Sequence, residues 1–176
     1  MTRKLTSNQL DKNGQTEEEF LRLYNPDKYP KPSLTADICV IVDRSVLLIR
    51  RGGHPFLNYW ALPGGFANRN EDLRSTAERE LEEETGLTIG PMKLIGVYSA
   101  PGRDPRGWVV SAAYGIHLTS SDVTVTAGDD ASDAEWFHIE STEPLTLTCG
   151  TTILHEEDLA FDHAVILQDA IRELKL

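Results

Sequence analysis

Cysteine, basic charge and long apolar runs are all scarce in this 176-residue chain, and each scarcity removes a class of protein. Cys39 and Cys149 are the only cysteines, so nothing suggests a disulfide framework, and a reducing cytoplasm is the expected setting. Cys39 lies in an apolar run and reads as an inert core residue, while Cys149 has no activating partner in sequence. Lys and Arg number 17 against 28 Asp and Glu, a net charge of −11. That balance argues against nucleic acid or an anionic membrane as a partner. No apolar run approaches the roughly 20 residues of a membrane-spanning helix, and the opening MTRKLTSNQLDKNG lacks the apolar segment of a secretory signal. His54, His117, His138, His155 and His163 are scattered without the paired spacing of a metal site. There is no G-x-S-x-G elbow, so covalent catalysis has no candidate. Repeats and low-complexity tracts are also missing.

What the chain has in excess is carboxylate, concentrated in GGFANRNEDLRSTAERELEEETGL at 64–87. A Gly-Gly turn leads into a predicted helix on which Glu78, Glu80, Glu82, Glu83 and Glu84 crowd around Arg79. Glu80 and Glu84 are one turn apart and repel, and the cluster sits toward the helix C-terminus, where the dipole disfavours anions. At about 100° per residue, Leu73, Ala77 and Leu81 form an apolar stripe. Glu80, Glu83 and Glu84 fall on the face adjoining it, while Glu71, Glu78 and Glu82 fall on the solvent side. A hard divalent cation, which prefers oxygen ligands, would relieve the repulsion within the first trio. Glu78 and Glu82 read as solvated surface.

The stretch resembles the Nudix box, G-x5-E-x7-R-E-U-x-E-E-x-G-U with U aliphatic. Gly65, Glu71, Arg79, Glu80, Leu81, Glu83, Glu84, Gly86 and Leu87 match it without a departure. The resemblance implies a metal-dependent hydrolase acting on a nucleoside diphosphate linked to another moiety. It implies that Glu80, Glu83 and Glu84 hold magnesium, with manganese as a substitute, and that the Gly64 carbonyl assists. Arg79 and Glu71 become supporting residues that orient these ligands. The implied fold is α+β, an α/β/α sandwich around a mixed sheet, and a homodimer is expected by analogy with the family.

In chain order, residues 1–33 read as an N-terminal arm with a short helix from Thr16 to Asn25, where Thr16 and Glu19 form a capping box. Pro26, Pro30 and Pro32 then impose an extended connector. The domain proper is 34–176. Strands are expected at Leu34–Val42, Val46–Arg50, Trp60–Leu62, Met92–Ser99, Trp108–Leu118 and Glu135–Ile139, with a weaker one at Val123–Thr126. Thr142–Gly150 reads as loop or a short extended piece. The box helix should end near Thr85 with Gly86 beyond it, and a second long helix is expected from Leu159 to Leu174.

The box supplies hydrolysis, not substrate choice. The attacking water also needs a base or a further ligand; Asp130 and Glu135, in the acidic run Gly128 to Glu135, are the candidates. Residues 99–114 carry Arg103, Asp104 and Arg106 between two glycines. Arginine suits phosphate, aspartate suits ribose hydroxyls, and Arg51 at a strand end is a further phosphate candidate. This loop, with 127–137 and 159–167, is similar to the ADP-ribose pyrophosphatase subgroup of Nudix proteins. The implied reaction is magnesium-dependent cleavage of ADP-ribose to AMP and ribose 5-phosphate. The rival substrates are an oxidised nucleoside triphosphate, a dinucleoside polyphosphate or NADH. The rival class is a non-catalytic ADP-ribose sensor joined to a winged-helix DNA-binding domain. The unbroken box, the acidic charge and the little chain left after the last helix all favour the enzyme. Phe56, Tyr59 and Trp60 read as core aromatics, with Trp60 under the box, and His163 as structural.

Overall fold

A computed structural model describes residues 9–119 and 134–176. The chain forms two compact units, Met1–Lys31 and Pro32–Leu176. In the first, α1 (Glu17–Leu23) starts with the expected capping box: Glu19 N–H donates to the Thr16 hydroxyl, and the Glu19 carboxylate accepts from Thr16 N–H at 2.9 Å.

The second unit is a sheet of nine strands among the described residues, with a helix on each face. Its strands are β1 (Ser33–Val42), β2 (Ser45–Arg50), β3 (Trp60–Ala61), β4 (Gly64–Phe66), β5 (Lys93–Tyr98), β6 (Val109–Leu118), β7 (Ala134–Thr142), β8 (Leu145–Cys149) and β9 (Thr152–Leu154). The order is β5-β6-β1-β2-β7-β8-β9, with β3 added to β2 and β4 to β1. β1 and β6 run parallel over ten residue pairs; the other pairings are antiparallel, so the sheet is mixed.

β1 is buried on both sides, as the strand alternation requires. Ala36, Ile38 and Val40 face α2 (Leu73–Thr85) and pack with Ala77, Leu81, Met92 and Tyr114. Cys39 and Ile41 face α3 (His163–Leu174) and pack with Leu48, Phe137, Ile166, Leu167 and Ala170. The two helices thus lie on opposite faces, and the architecture is the expected α+β sandwich. Burial pushes the Cys39 thiol pKa up, in keeping with an inert core residue.

Several expectations need correction. Gly64 and Gly65 are not a simple turn: they open β4, whose residues pair with Thr35, Ala36 and Asp37. Thr142–Gly150 contains a full strand, β8, and β9 follows it. The last helix begins at His163; the segment before it holds a 3-10 turn, Glu156–Asp158. Trp60 packs on Phe137, ring centroids 4.7 Å apart, in the core on the α3 side and not under α2. Val123–Thr126 lies outside the described residues.

α2 is fixed to the sheet mainly by Ala77 and Leu81, since its other faces carry charge. Leu81→Ala should therefore cost about 3 kcal/mol, read as a lower urea midpoint with an unchanged slope.

Candidate active site

β4 brings the Gly-Gly backbone against β1 on one side and against α2 on the other. A side chain at Gly64, whose φ is +154°, would overlap the Ala36 carbonyl oxygen, and one at Gly65 would overlap the Glu80 carboxylate. Only glycine allows this approach. Asp72 caps α2, accepting from the N–H groups of Arg74 and Ser75, and Gly86 closes it with φ +68°.

Around this junction the box side chains interlock. Arg79 Nε donates to Glu71 Oε1 at 2.9 Å and Nη2 to Glu71 Oε2 at 3.0 Å; Nη2 also donates to the Phe66 carbonyl at 3.0 Å. Arg79 Nη1 donates to Glu80 at 2.7 Å and to Glu83 at 2.9 Å. Glu71 is not on the helix at all. It precedes the cap, and its carboxylate also accepts from Asn68 N–H and the Thr76 hydroxyl. The Arg79 bonds, then the Asn68 N–H, hold the Glu71 pKa down to about 2. Glu84 points the other way and accepts from Gly64 N–H at 2.8 Å. Burial pushes its pKa up to about 7; the Gly64 bond opposes this and the neighbouring Glu80 carboxylate adds to it.

Three box carboxylates are thus gathered within two helical turns, but they do not meet at a point. Among the described residues no three acidic, histidine or cysteine side chains form a metal-holding cluster. The Arg79 guanidinium lies between Glu80 and Glu83, and the Gly64 amide holds Glu84. The donor set is nonetheless all oxygen, and burial together with the neighbouring Glu80 makes an unpaired negative charge on Glu84 costly. Those are the properties a hard divalent cation selects.

A cavity of about 390 Å³ opens in front of this junction. Gly64, Arg79 and Glu80 line it together with Arg51, Arg103, Asp104 and Arg106, whereas Glu83 and Glu84 do not. The arginines differ in what they already hold. Arg103 is 5% exposed; its Nε donates to Asp162 at 2.8 Å, Nη2 bonds the other Asp162 oxygen, and Nη2 stands 3.7 Å from Asp37. Arg106 forms a double bond pair with buried Asp104 and lies over the rings of Phe66 and Phe161, at 4.8 and 5.4 Å. Arg51 donates through Nε to the Pro55 carbonyl and lies 4.9 Å from the Phe161 ring, and among the described residues no carboxylate pairs with it within 4 Å. Burial, then the Arg106 charge, lowers its pKa.

Of the two candidates for a base, Glu135 lies on β7 opposite Leu48 and accepts the Cys149 thiol at 3.6 Å; it does not line the cavity. Its expected place at the site is corrected accordingly. Asp130 lies outside the described residues. The cavity also contains residues that sequence reasoning passed over. Phe66 and Phe161 supply aromatic walls, and Phe161 holds an unusual φ of +55°. Asp37 is a buried carboxylate in an otherwise apolar strand, the one feature of LTADICVIV that should have marked it. His163 is structural, its Nδ1 accepting the Leu62 N–H at 2.9 Å, and it also faces the cavity.

The NUDIX domain family model matches residues 31–150, which hold the box and all of the cavity lining except Phe161 and His163. The chain belongs to the Nudix family. It is similar to the ADP-ribose pyrophosphatase of Methanocaldococcus jannaschii, 37% identical over 144 residues that make up 82% of this chain and 76% of that protein. These likenesses make it a Nudix hydrolase. The chain is also similar to the ADPR responsive transcriptional repressor NtrR of Acinetobacter baylyi, 33% identical over 92% of this chain but 62% of the repressor's length. Among solved structures, a MutT/nudix family protein from Enterococcus faecalis superposes with a TM-score of 0.76 at 37% identity, covering 92% of this chain and 70% of that one. The NUDIX domain of Shewanella oneidensis NrtR complexed with ADP ribose gives 0.70 at 29% identity, covering 91% and 99%.

Arg103 is a buried tie between the 100–107 loop and the segment before α3. Arg103→Ala should leave Asp162 and Asp37 without their cation and destabilise this Nudix fold by roughly 2 kcal/mol or more, measured by urea unfolding. Arg106→Ala, at a more exposed position, should cost less than Arg103→Ala but still about 1–2 kcal/mol, because it leaves the buried Asp104 carboxylate without its cation.

Proposed function

We propose that this Nudix hydrolase cleaves the pyrophosphate of ADP-ribose, giving AMP and ribose 5-phosphate. The observation that carries the reading is the polarity of the cavity: Glu80 of the box lines it, and Arg51, a guanidinium with no carboxylate partner among the described residues, lines the same space. A diphosphate needs both. Arg51 would bind a non-bridging oxygen, where its planar fork matches the phosphate. Arg106 is a second contact, once its guanidinium turns from Asp104 toward the substrate.

Glu80, Glu83 and Glu84, with the Gly64 carbonyl, would hold magnesium. Bound there, the ion supplies charge neutralisation, polarisation of the phosphoryl group and a more acidic water. The chain's own residues do the rest. Glu71 fixes Arg79, Arg79 fixes Glu80 and Glu83, and the Gly64 amide fixes Glu84. Water forms the new phosphorus–oxygen bond as the bridging anhydride bond breaks. The similarity to the M. jannaschii enzyme supports ADP-ribose over the other substrates of the family.

A second reading, an ADP-ribose sensor without turnover, draws on the similarity to NtrR. The complete box favours the enzyme. AMP release from ADP-ribose with and without magnesium, beside NADH and an oxidised dGTP, separates the readings. The expected result is magnesium-dependent AMP from ADP-ribose, abolished by EDTA. Turnover of NADH or oxidised dGTP in its place would reject the substrate, and binding without turnover would favour the sensor.

Two variants probe the residues. Glu84→Gln should lower kcat by at least about 10²-fold with the fold intact by circular dichroism. Arg51→Ala should raise KM for ADP-ribose about tenfold with little change in kcat; an unchanged KM would remove Arg51 from the diphosphate site.

A further inference from the structure

Asp37 is 7% exposed, in the middle of β1 on the side that faces α3. Its Oδ2 accepts the Ser111 hydroxyl, and Arg103 Nη2 is 3.7 Å from that same oxygen. Among the described residues its Oδ1 accepts no hydrogen bond. The nearest cationic or imidazole donor is His163 Nε2 at 3.6 Å. His163 is the complement. Because its Nδ1 accepts the Leu62 N–H, the ring proton is on Nε2, and among the described residues Nε2 donates to nothing. Burial lowers the His163 pKa, which keeps the ring neutral. At 3.6 Å the two atoms are too far apart to bond each other. Among the described residues no fully enclosed side-chain nitrogen or oxygen lacks a partner. Both atoms therefore see open space, and both residues line the cavity.

We propose that Asp37 Oδ1 and His163 Nε2 together receive a ribose hydroxyl of the substrate. The inference deepens the ADP-ribose reading and rests on it. The ligand class follows from the two open valences. The bridging group must accept from an imidazole N–H and donate to a carboxylate. A hydroxyl does both with one oxygen, at two bonds of about 2.8 Å. A phosphate oxygen accepts only, and Asp37 repels it; an ammonium donates only. The same cavity thus sorts the substrate chemically. Arg51 takes the anionic part, and the Asp37–His163 pair takes a neutral hydroxyl. Arg103, bonded to Asp162, keeps a positive charge beside Asp37 and makes its burial tolerable.

ADP-ribose offers such a hydroxyl on either ribose, and binding to the intact chain distinguishes them. Calorimetry in EDTA, where no turnover occurs, compares three ligands: ADP-ribose, its 2′,3′-dideoxyadenosine form, and the methyl ester of ADP, which lacks the terminal ribose. The expected result is that one analogue binds the wild type at least about tenfold more weakly than ADP-ribose, which names the ribose involved. In Asp37→Asn, an isosteric change that reverses the hydrogen-bonding demand at one oxygen, that ratio should fall below about threefold. Two analogues bound within threefold of ADP-ribose by the wild type would overturn the subsite, as would a full ratio retained in Asp37→Asn. So would failure of all three ligands to bind. Should Asp37→Asn not fold, the wild-type ratio alone decides. Discrimination in EDTA without AMP release on adding magnesium would sink the hydrolysis of ADP-ribose and leave the hydroxyl receptor standing.

Discussion

A single guanidinium holds the acidic end of the cavity together. Arg79 makes five hydrogen bonds, to both oxygens of Glu71, to Glu80, to Glu83 and to the Phe66 carbonyl. An arginine has five N–H groups, so its capacity is filled. Carboxylates on successive turns repel one another, and these lie in the half of the helix where the dipole is least favourable to them. Arg79 offsets both effects at once and ties α2 to the end of β4. Glu84 is not among its partners; burial, and after it the Glu80 charge, pushes the Glu84 pKa up to about 7 against the opposing Gly64 N–H bond. The box is therefore an electrostatic assembly before it is a catalytic one, and any cation that enters meets carboxylates already oriented by another.

β1 is the second organiser. Its two faces feed two cores, its edge accepts β4 in register, and its parallel partner β6 supplies Ser111 beneath Asp37. One strand thus sets the depth of Gly64 relative to α2 and the position of a carboxylate relative to α3. Since α3 begins at His163 and that ring accepts the Leu62 N–H, the start of the second helix is tied to the backbone just before the Gly-Gly pair. Both helices consequently report on the same three-residue strand, from opposite sides of the sheet.

How much of this was legible in the sequence depended on how local each feature is. The box could be read because its glycines, arginine and glutamates act within about twenty residues, and because helical angles predict which acids share a face. The Thr16 capping box and the Gly86 terminator are equally local. β4 was hidden because Gly-Gly carries no strand propensity; its pairing is imposed by β1, thirty residues earlier. β8 was legible, since Leu145, Thr146, Leu147 and Thr148 alternate in the strand pattern with the leucines buried, and only β9, three residues long, is too short to carry a period. Glu135 was misplaced because an acidic run says nothing of which way a strand faces, and register with β2 turns it to Cys149. Arg103 and Arg106 look alike in sequence. Only the distant Asp162 makes the first a buried tie, while the second stays on the cavity wall. Asp37 was the exception, a charged residue in an apolar strand that burial cost alone should have flagged.

The likeness to both a pyrophosphatase and a repressor has a physical sense in this arrangement. Ground-state recognition of a nucleoside diphosphate sugar needs a guanidinium for the phosphates and polar groups for the hydroxyls, and the β1, 100–107 and α3 side of the cavity carries residues of those kinds. Catalysis needs interactions that strengthen in the transition state, and in the proposed reaction the carboxylates of α2 would provide them. The two demands fall on different elements joined through β4. A relative can lose the second and keep the first by changing a few glutamates on one helix, with the sheet, α3 and the arginines left as they are. In this chain every glutamate of that set is present and held in a network with Arg79 and Gly64. Maintaining that network carries a standing electrostatic cost, and a binding module alone would have no use for it.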